Sequence, residues 1–274
     1  MTETQAVSPA HLQEMKHRGD KIAVLTAYDA SFASIMDACG IDVVLVGDSL
    51  GMVVQGHDST LPVTMADMCY HTANVRRGVA HALLVADMPY HSYASVADAV
   101  NHAQALMAAG AQMVKLEGGA KLLPIIEALI QQQIPVCGHL GLLPQSVKEL
   151  GGYKVQGRDE AAAAAMLHDA RALAAAGVSM IVLECIPAML AQNISQAIAI
   201  PTIGIGAGAD CDGQVLVVYD MLGITRGKRP RFVRDFLAEV DVDIEGGDRI
   251  SAAIKNYIRA VRQGHFPSAA QSYS

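Results

Sequence analysis

Tryptophan is absent from the 274 residues, aromatic side chains make up only 4% of them, and charged ones only 17%. A base-stacking platform needs aromatic rings, and a nucleic-acid or anionic-lipid surface needs a surplus of Lys and Arg. Here 27 acids outnumber 20 bases, a net charge of −7, so no nucleic-acid or membrane partner is expected. Long apolar runs are missing too. Hydrophobic residues make up 52% and mean hydropathy is +0.29, yet no run approaches the ~18 uninterrupted apolar residues of a membrane span. The hydrophobicity reads as a large core of Ala, Val, Ile and Leu. The opening stretch MTETQAVSPAHLQEMKHRGD is polar, and no secretory signal is expected in it. Cysteine is sparse: Cys39, Cys69, Cys137, Cys185 and Cys211 are scattered, odd in number and without CxxC or Cys/His spacing. They read as small buried hydrophobes of a reducing cytoplasm. The lack of GKS/T, GxSxG and HExxH removes P-loop, serine-hydrolase and zincin chemistries.

What is present is an alternation of short apolar runs with alanine-rich segments of helical period. The runs are IAVLTAYD (22–29), VVLVGDS (43–49), LLVADM (83–88), QMVKLEG (112–118), PVCGHLG (135–141), SMIVLEC (179–185), PTIGIGAG (201–208) and QVLVVYD (214–220). Near-continuous hydrophobicity is the pattern of parallel strands covered on both faces. Helices are predicted at 31–38, 121–131, 187–196, 231–238 and 249–261. Others follow the capping patterns Thr64-x-x-Asp67 and Ser95-x-x-Asp98, or open at Asp159. A doubly wound sheet usually carries a glycine-rich turn after its first strand; Tyr28-Asp29-Ala30-Ser31 has no glycine. The prediction is a single-domain (β/α)8 TIM barrel over 21–264. An extension over 1–20 precedes it, with a short N-terminal helix at 11–20 plugging the barrel's N-terminal end. A flexible, frayed tail over 265–274 follows.

In such a barrel, chemistry belongs at the C-terminal ends of the strands. Six successive ends carry polar or ionisable groups: Asp29, Asp48 with Ser49, Asp87, Lys115 with Glu117, His139, and Glu184. Asp29 directly precedes a helical pattern and reads first as an N-cap. Asp48 leads into SLGMVVQGHDS, which has no helical period, and Asp87 stands some eight residues before the next helix. Capping therefore explains neither, and a carboxylate in so apolar a setting needs a partner, a bound cation being a natural one. Lys115 and Glu117 share one strand face; they are either a buried ion pair or a substrate-carboxylate anchor beside a metal-shell acid. Glu184, among Ile181, Leu183 and Ile186, is either a general base whose pKa its apolar setting raises or a cap for the helix near Pro187. His139 either contacts substrate or packs in the barrel mouth. Asp and Glu oxygens suit a hard octahedral ion such as Mg²⁺. Gly204-x-Gly206-x-Gly208 is followed by Asp210 and Asp212; two acids would repel a phosphate, so a tight turn or close backbone passage fits better. The loop over 50–62 is a candidate lid on composition alone.

The segments TAYDASFA (26–33), VGDSLGMVVQGHDSTLPVTMADM (46–68), ADMPYHSY (86–93), VKLEGG (114–119), GHLGLLPQS (138–146), LECIP (183–187) and IGIGAGADCDGQVLV (203–217) resemble the ketopantoate hydroxymethyltransferase family. The resemblance spans roughly residues 20–235. It implies a Mg²⁺-dependent transfer of a hydroxymethyl group from 5,10-methylenetetrahydrofolate to 3-methyl-2-oxobutanoate through an enolate, in pantothenate biosynthesis. By motif, Asp48 and Asp87 would ligate the metal, with Glu117 completing its shell. Ser49 and Lys115 would hold the keto acid beside Asp48 and Asp87, and Glu184 would be the base. A cytoplasmic homo-oligomer, commonly a decamer, is also implied. Two other readings use the same residues: a lyase or mutase of the pyruvate/phosphoenolpyruvate barrel group, whose reactive-cysteine loop motif is not evident, and a keto-acid-binding barrel, which would need no base.

Overall fold

The computed structural model describes residues 6–147, 152, 154–227, 229–241 and 246–274. Within them eight parallel strands close into a barrel in chain order, with β8 bonded back to β1. The strands are β1 (Ile22–Thr26), β2 (Val43–Val46), β3 (Leu83–Asp87), β4 (Met113–Glu117), β5 (Val136–Gly141), β6 (Met180–Glu184), β7 (Thr202–Ile205) and β8 (Gly213–Leu216). The helices are α1 (Pro9–Arg18), α2 (Ala30–Ala38), the single turn α3 (Leu50–Val53), α4 (Met65–Arg76), α5 (Val96–Ala108), α6 (Leu123–Gln131), α7 (Glu160–Ala175), α8 (Ala188–Ala197), the short α9 (Val218–Met221) and α10 (Gly246–Arg262). The side chains of Thr64, Ser95 and Asp159 accept hydrogen bonds from the first turns of α4, α5 and α7, as their spacing predicts.

Strand side chains alternate between two cores. Ala23, Leu25, Val44, Val46, Leu84, Ala86, Val114, Leu116, Ile181 and Leu183 pack outward under the helices. Ile22, Val24, Val43, Leu45, Leu83, Val85, Met113, Cys137, Met180, Val182, Ile203 and Val215 fill the barrel interior together with Leu12 and Met15 of α1. The N-terminal helix thus plugs the barrel from below, as its sequence predicts.

Three segments differ from their sequence reading. Residues 231–238 are turns and bends rather than a helix. The Phe232/Phe236 spacing mimics a helical stripe, but Phe236 N donates across to Met221 O and the Asp235 carboxylate takes Ala238 N, local bonds that compete with helix formation. The last apolar run stops at Leu216, where Val218 N turns to donate to Thr26 Oγ1 and α9 begins. The chain end, expected to be a flexible tail, folds back: Phe266 is buried against Phe236 and Tyr257, and Tyr273 O accepts from Ala188 N beside the end of β6. Glycine 206, with φ of +63°, passes so close to Phe232 and Tyr273 that a Cβ would lie within 3.0 Å of each, which accounts for the glycine repeat as chain passage.

Candidate active site

The two-residue alternation that points Met113 into the barrel also points Lys115 and Glu117 inward. The same parity carries Asp87 after Val85, His139 after Cys137, and Glu184 after Val182. Parallel register then sets neighbours side by side: Asp87 pairs with Lys115, and Glu117 with His139. A chain of contacts follows at the C-terminal rim. Lys115 Nζ donates to Asp87 Oδ1 at 2.5 Å and stands 3.9 Å from Glu117 Oε1. Glu117 Oε1 lies 3.2 Å from His139 Nδ1, and His139 Nε2 lies 3.2 Å from Glu184 Oε2. That last contact is off the hydrogen-bonding direction, so the buried Nε2 has no aligned partner. The side chains of Asp87, Lys115, Glu117 and His139 are 2–5% exposed and that of Glu184 is 15% exposed, so the chain opens at Glu184.

Asp48 joins from just beyond β2. Its backbone N donates to Asp87 Oδ2 at 3.0 Å, and its Oδ2 accepts from Gln145 Nε2 at 2.8 Å. Gly47 lets the two strand ends approach, since a Cβ there would sit 2.7 Å from Ser49 Oγ and 3.6 Å from Asp87 Oδ2. Ser49 is held by the Tyr28 hydroxyl at 2.9 Å. All seven residues singled out as site candidates therefore meet at one rim. Asp29 does not join them; its carboxylate accepts from Ser31 N and Phe32 N as the N-cap of α2. Nor does Glu184 cap α8, whose N-cap Pro187 has no side-chain bond. Glu184 faces an imidazole rather than the wholly apolar wall that its sequence neighbours suggest. Sequence reasoning missed Gln145, Tyr93 and Tyr28. The first two lie inside PQS and ADMPYHSY, where an uncharged residue in a loop gives no chemical signal.

Burial raises the Asp48 carboxyl well above the usual carboxylate range, with the charges of Asp87 and Glu117 adding to it. Burial and the Lys115 charge oppose protonation of His139, but Glu117 and Glu184 outweigh them and lift it to about 9. Burial opposes ionisation of Glu117, yet His139, Lys115 and Gln145 N together hold its carboxyl below normal. Lys115 is likewise disfavoured by burial and more than compensated by Asp87, Glu117 and Asp48, which keep it an ammonium. The raised His139 has a consequence for the protein without metal. Its stabilising contribution is complete below the unfolded value near 6.5 and disappears as pH climbs through about 9. The size is on the order of 3 kcal/mol, counted once for His139 and Glu117 together. Urea titrations at pH 6.5 and 9.5 should show that loss in the native sequence and a much flatter pH response in His139→Gln; equal slopes would refute the pairing.

Among the described residues no three His, Cys, Asp or Glu side chains form a ready-made metal cage. Mg²⁺ seldom asks for one, taking one or two carboxylates and completing its octahedron with water and substrate oxygens. The Asp48 and Asp87 donors fit that habit, and their crowding of negative charge is what a hard cation relieves. Asp87 and Glu117 are each engaged at both oxygens, Asp87 by Lys115 Nζ and Asp48 N and Glu117 by His139 and Gln145 N, so each would share an oxygen with its present partner. Glu117, farther along the run, fits as a supporting acid.

A family model described as ketopantoate hydroxymethyltransferase matches residues 6–269. A 3-methyl-2-oxobutanoate hydroxymethyltransferase of Burkholderia multivorans is 54% identical over 98% of this chain and 96% of its own length. One of Methylobacillus flagellatus is 58% identical over 93% and 95%. Among solved structures, a phosphonopyruvate hydrolase in complex with oxalate and Mg²⁺ superposes with a TM-score of 0.62 at 12% identity, covering 94% of this chain and 98% of that one. A putative phosphonomutase from Burkholderia cenocepacia gives 0.61 at 16% identity, over 78% and 94%. At such identities the structural likeness is one of fold.

Proposed function

The chain belongs to the ketopantoate hydroxymethyltransferase family, and from that premise we propose that its barrel rim transfers a hydroxymethyl group from 5,10-methylenetetrahydrofolate to 3-methyl-2-oxobutanoate. The products are 2-dehydropantoate and tetrahydrofolate, the reaction serving pantothenate and coenzyme A biosynthesis. The observation that carries the reading is the buried run Asp87–Lys115–Glu117–His139–Glu184, open to solvent at Glu184 alone.

A 2-oxo acid brings a carboxylate and a barely acidic C3 proton. Lys115, buried and ammonium, supplies the positive charge that anchors the carboxylate, and the Ser49 hydroxyl, fixed by Tyr28, donates a hydrogen bond. A Mg²⁺ held by Asp48 and Asp87, with Glu117 behind them, would polarise the keto oxygen as a Lewis acid. Glu184 removes the C3 proton, and the C–H electron pair moves into the enolate, stabilised by Lys115. The donor carbon is bonded to both N5 and N10 of the folate; both C–N bonds break as water supplies the oxygen and its two hydrogens go to the nitrogens. C3 bonds to the resulting carbonyl carbon, whose oxygen takes up the proton that Glu184 removed. His139, placed between Glu117 and Glu184, sets its Nε2 3.2 Å from the base and is a side chain able to contact substrate beside it. The reading includes a cytoplasmic homo-oligomer, a decamer by family resemblance; among the described residues no helix is long and apolar enough to cross a membrane.

Deuterium exchange at C3 of 3-methyl-2-oxobutanoate in D₂O, followed by proton NMR without folate, tests the proposal. Exchange should require Mg²⁺, and dehydropantoate should form only when the folate donor is added. Asp87→Ala should abolish metal-dependent keto-acid binding in calorimetry. Metal-independent exchange, or an unchanged titration for Asp87→Ala, would sink the assignment.

A further inference from the structure

None of the seven candidates read from the sequence comes from the loop after β5, yet that loop sends one uncharged side chain, Gln145, into the middle of the acids. Gln145, in the 3₁₀ turn Pro144–Ser146, is 5% exposed. Its Nε2 donates to Asp48 Oδ2 at 2.8 Å and to Met88 O at 2.9 Å, while its backbone N donates to Glu117 Oε2 at 3.0 Å. Its Oε1 accepts the Tyr93 hydroxyl at 2.5 Å, and Tyr93 Oη in turn takes Glu117 N at 3.4 Å. Both N–H groups and the carbonyl oxygen of the amide are thus engaged, by Asp48 in the loop after β2 and by Met88 and Tyr93 in the loop after β3.

The pattern admits only one orientation of the amide. Turned over, Oε1 would face Asp48 Oδ2 and the Met88 carbonyl, two acceptors with no proton between them, and the NH₂ would meet a hydroxyl already aimed at it. Tyr93 remains a neutral phenol, burial and the Glu117 charge opposing its ionisation. We propose that Gln145 is a positioning residue, its amide locked by Tyr93 so that it fixes the Asp48 carboxylate for the divalent cation and the keto acid. This rests on the metal-dependent function above. Donors behind a ligating carboxylate set its direction and leave one oxygen free, and their loss typically weakens metal affinity 10–100-fold.

The test measures Mg²⁺ and 3-methyl-2-oxobutanoate binding by calorimetry on the intact protein, alongside thermal unfolding. Gln145→Met keeps the side chain's length and the backbone bond to Glu117 but removes the donor; Mg²⁺ affinity should fall at least tenfold. Tyr93→Phe, which removes the hydroxyl that holds Gln145 Oε1, should cost several-fold. Made in the Gln145→Met background, Tyr93→Phe should cost nothing more in Mg²⁺ affinity, a non-additivity that two independent packing defects would not produce. Mg²⁺ affinity within twofold of native in Gln145→Met, or an additive Tyr93→Phe loss, overturns the proposal. If the native protein itself shows no Mg²⁺-dependent keto-acid binding, the functional reading falls first and takes the positioning role with it.

Discussion

Glu184→Gln is expected to lower the rate of C3 deuterium exchange by about 10²–10⁴-fold, the range of a lost general base, with keto-acid binding changed by no more than about twofold. The substitution keeps size and shape, and the new amide oxygen still faces His139 Nε2, now 3.2 Å from Glu184 Oε2. What disappears is the capacity to accept a proton from carbon. The contrast between lost exchange and retained Mg²⁺-dependent binding separates a base from an anchor. Exchange persisting at the native rate would remove Glu184 from that role, and loss of binding in step with exchange would make it part of the binding surface instead.

Lys115→Met should have the largest effect on the folded protein itself. The ammonium is buried at the centre of Asp87, Glu117 and Asp48, and a methionine of similar length leaves those carboxyls with only His139 as a countercharge. Breaking a buried pair from one side costs about 3–5 kcal/mol. Binding of 3-methyl-2-oxobutanoate should be lost as well, since its carboxylate then has no cation beside it. Urea unfolding of the variant gives the first quantity. Added Mg²⁺ should restore more stability to the variant than to the native protein, because the uncompensated acids attract it. A stability loss under 1 kcal/mol would show that the cluster is more hydrated than its burial implies.

The barrel was legible because eight nearly unbroken apolar runs require cover on both faces, and because Lys115, Glu117, Asp87, His139 and Glu184 break those runs at their C-terminal ends. The helical reading of 231–238 failed for a different reason: Phe232 and Phe236 have helical spacing but bury themselves from turns, tied by Phe236 N to Met221 O and by Asp235 to Ala238 N. The expected fraying of the last ten residues failed likewise, since a polar, glycine-led end gives no hint that Phe266 will find Phe236 and Tyr257.

What the chain order of residues determined alone is periodicity and chemical type: two-residue alternation sends a fixed set of charged groups into the barrel. Partnership was decided only in three dimensions. Lys115 and Glu117 look like each other's counterions along the strand, but parallel register gives Lys115 to Asp87 and Glu117 to His139. Gln145 stands 97 residues from the Asp48 it touches. Side-chain spacing within a strand is a local property of the backbone, whereas which groups meet across strands depends on how the sheet closes.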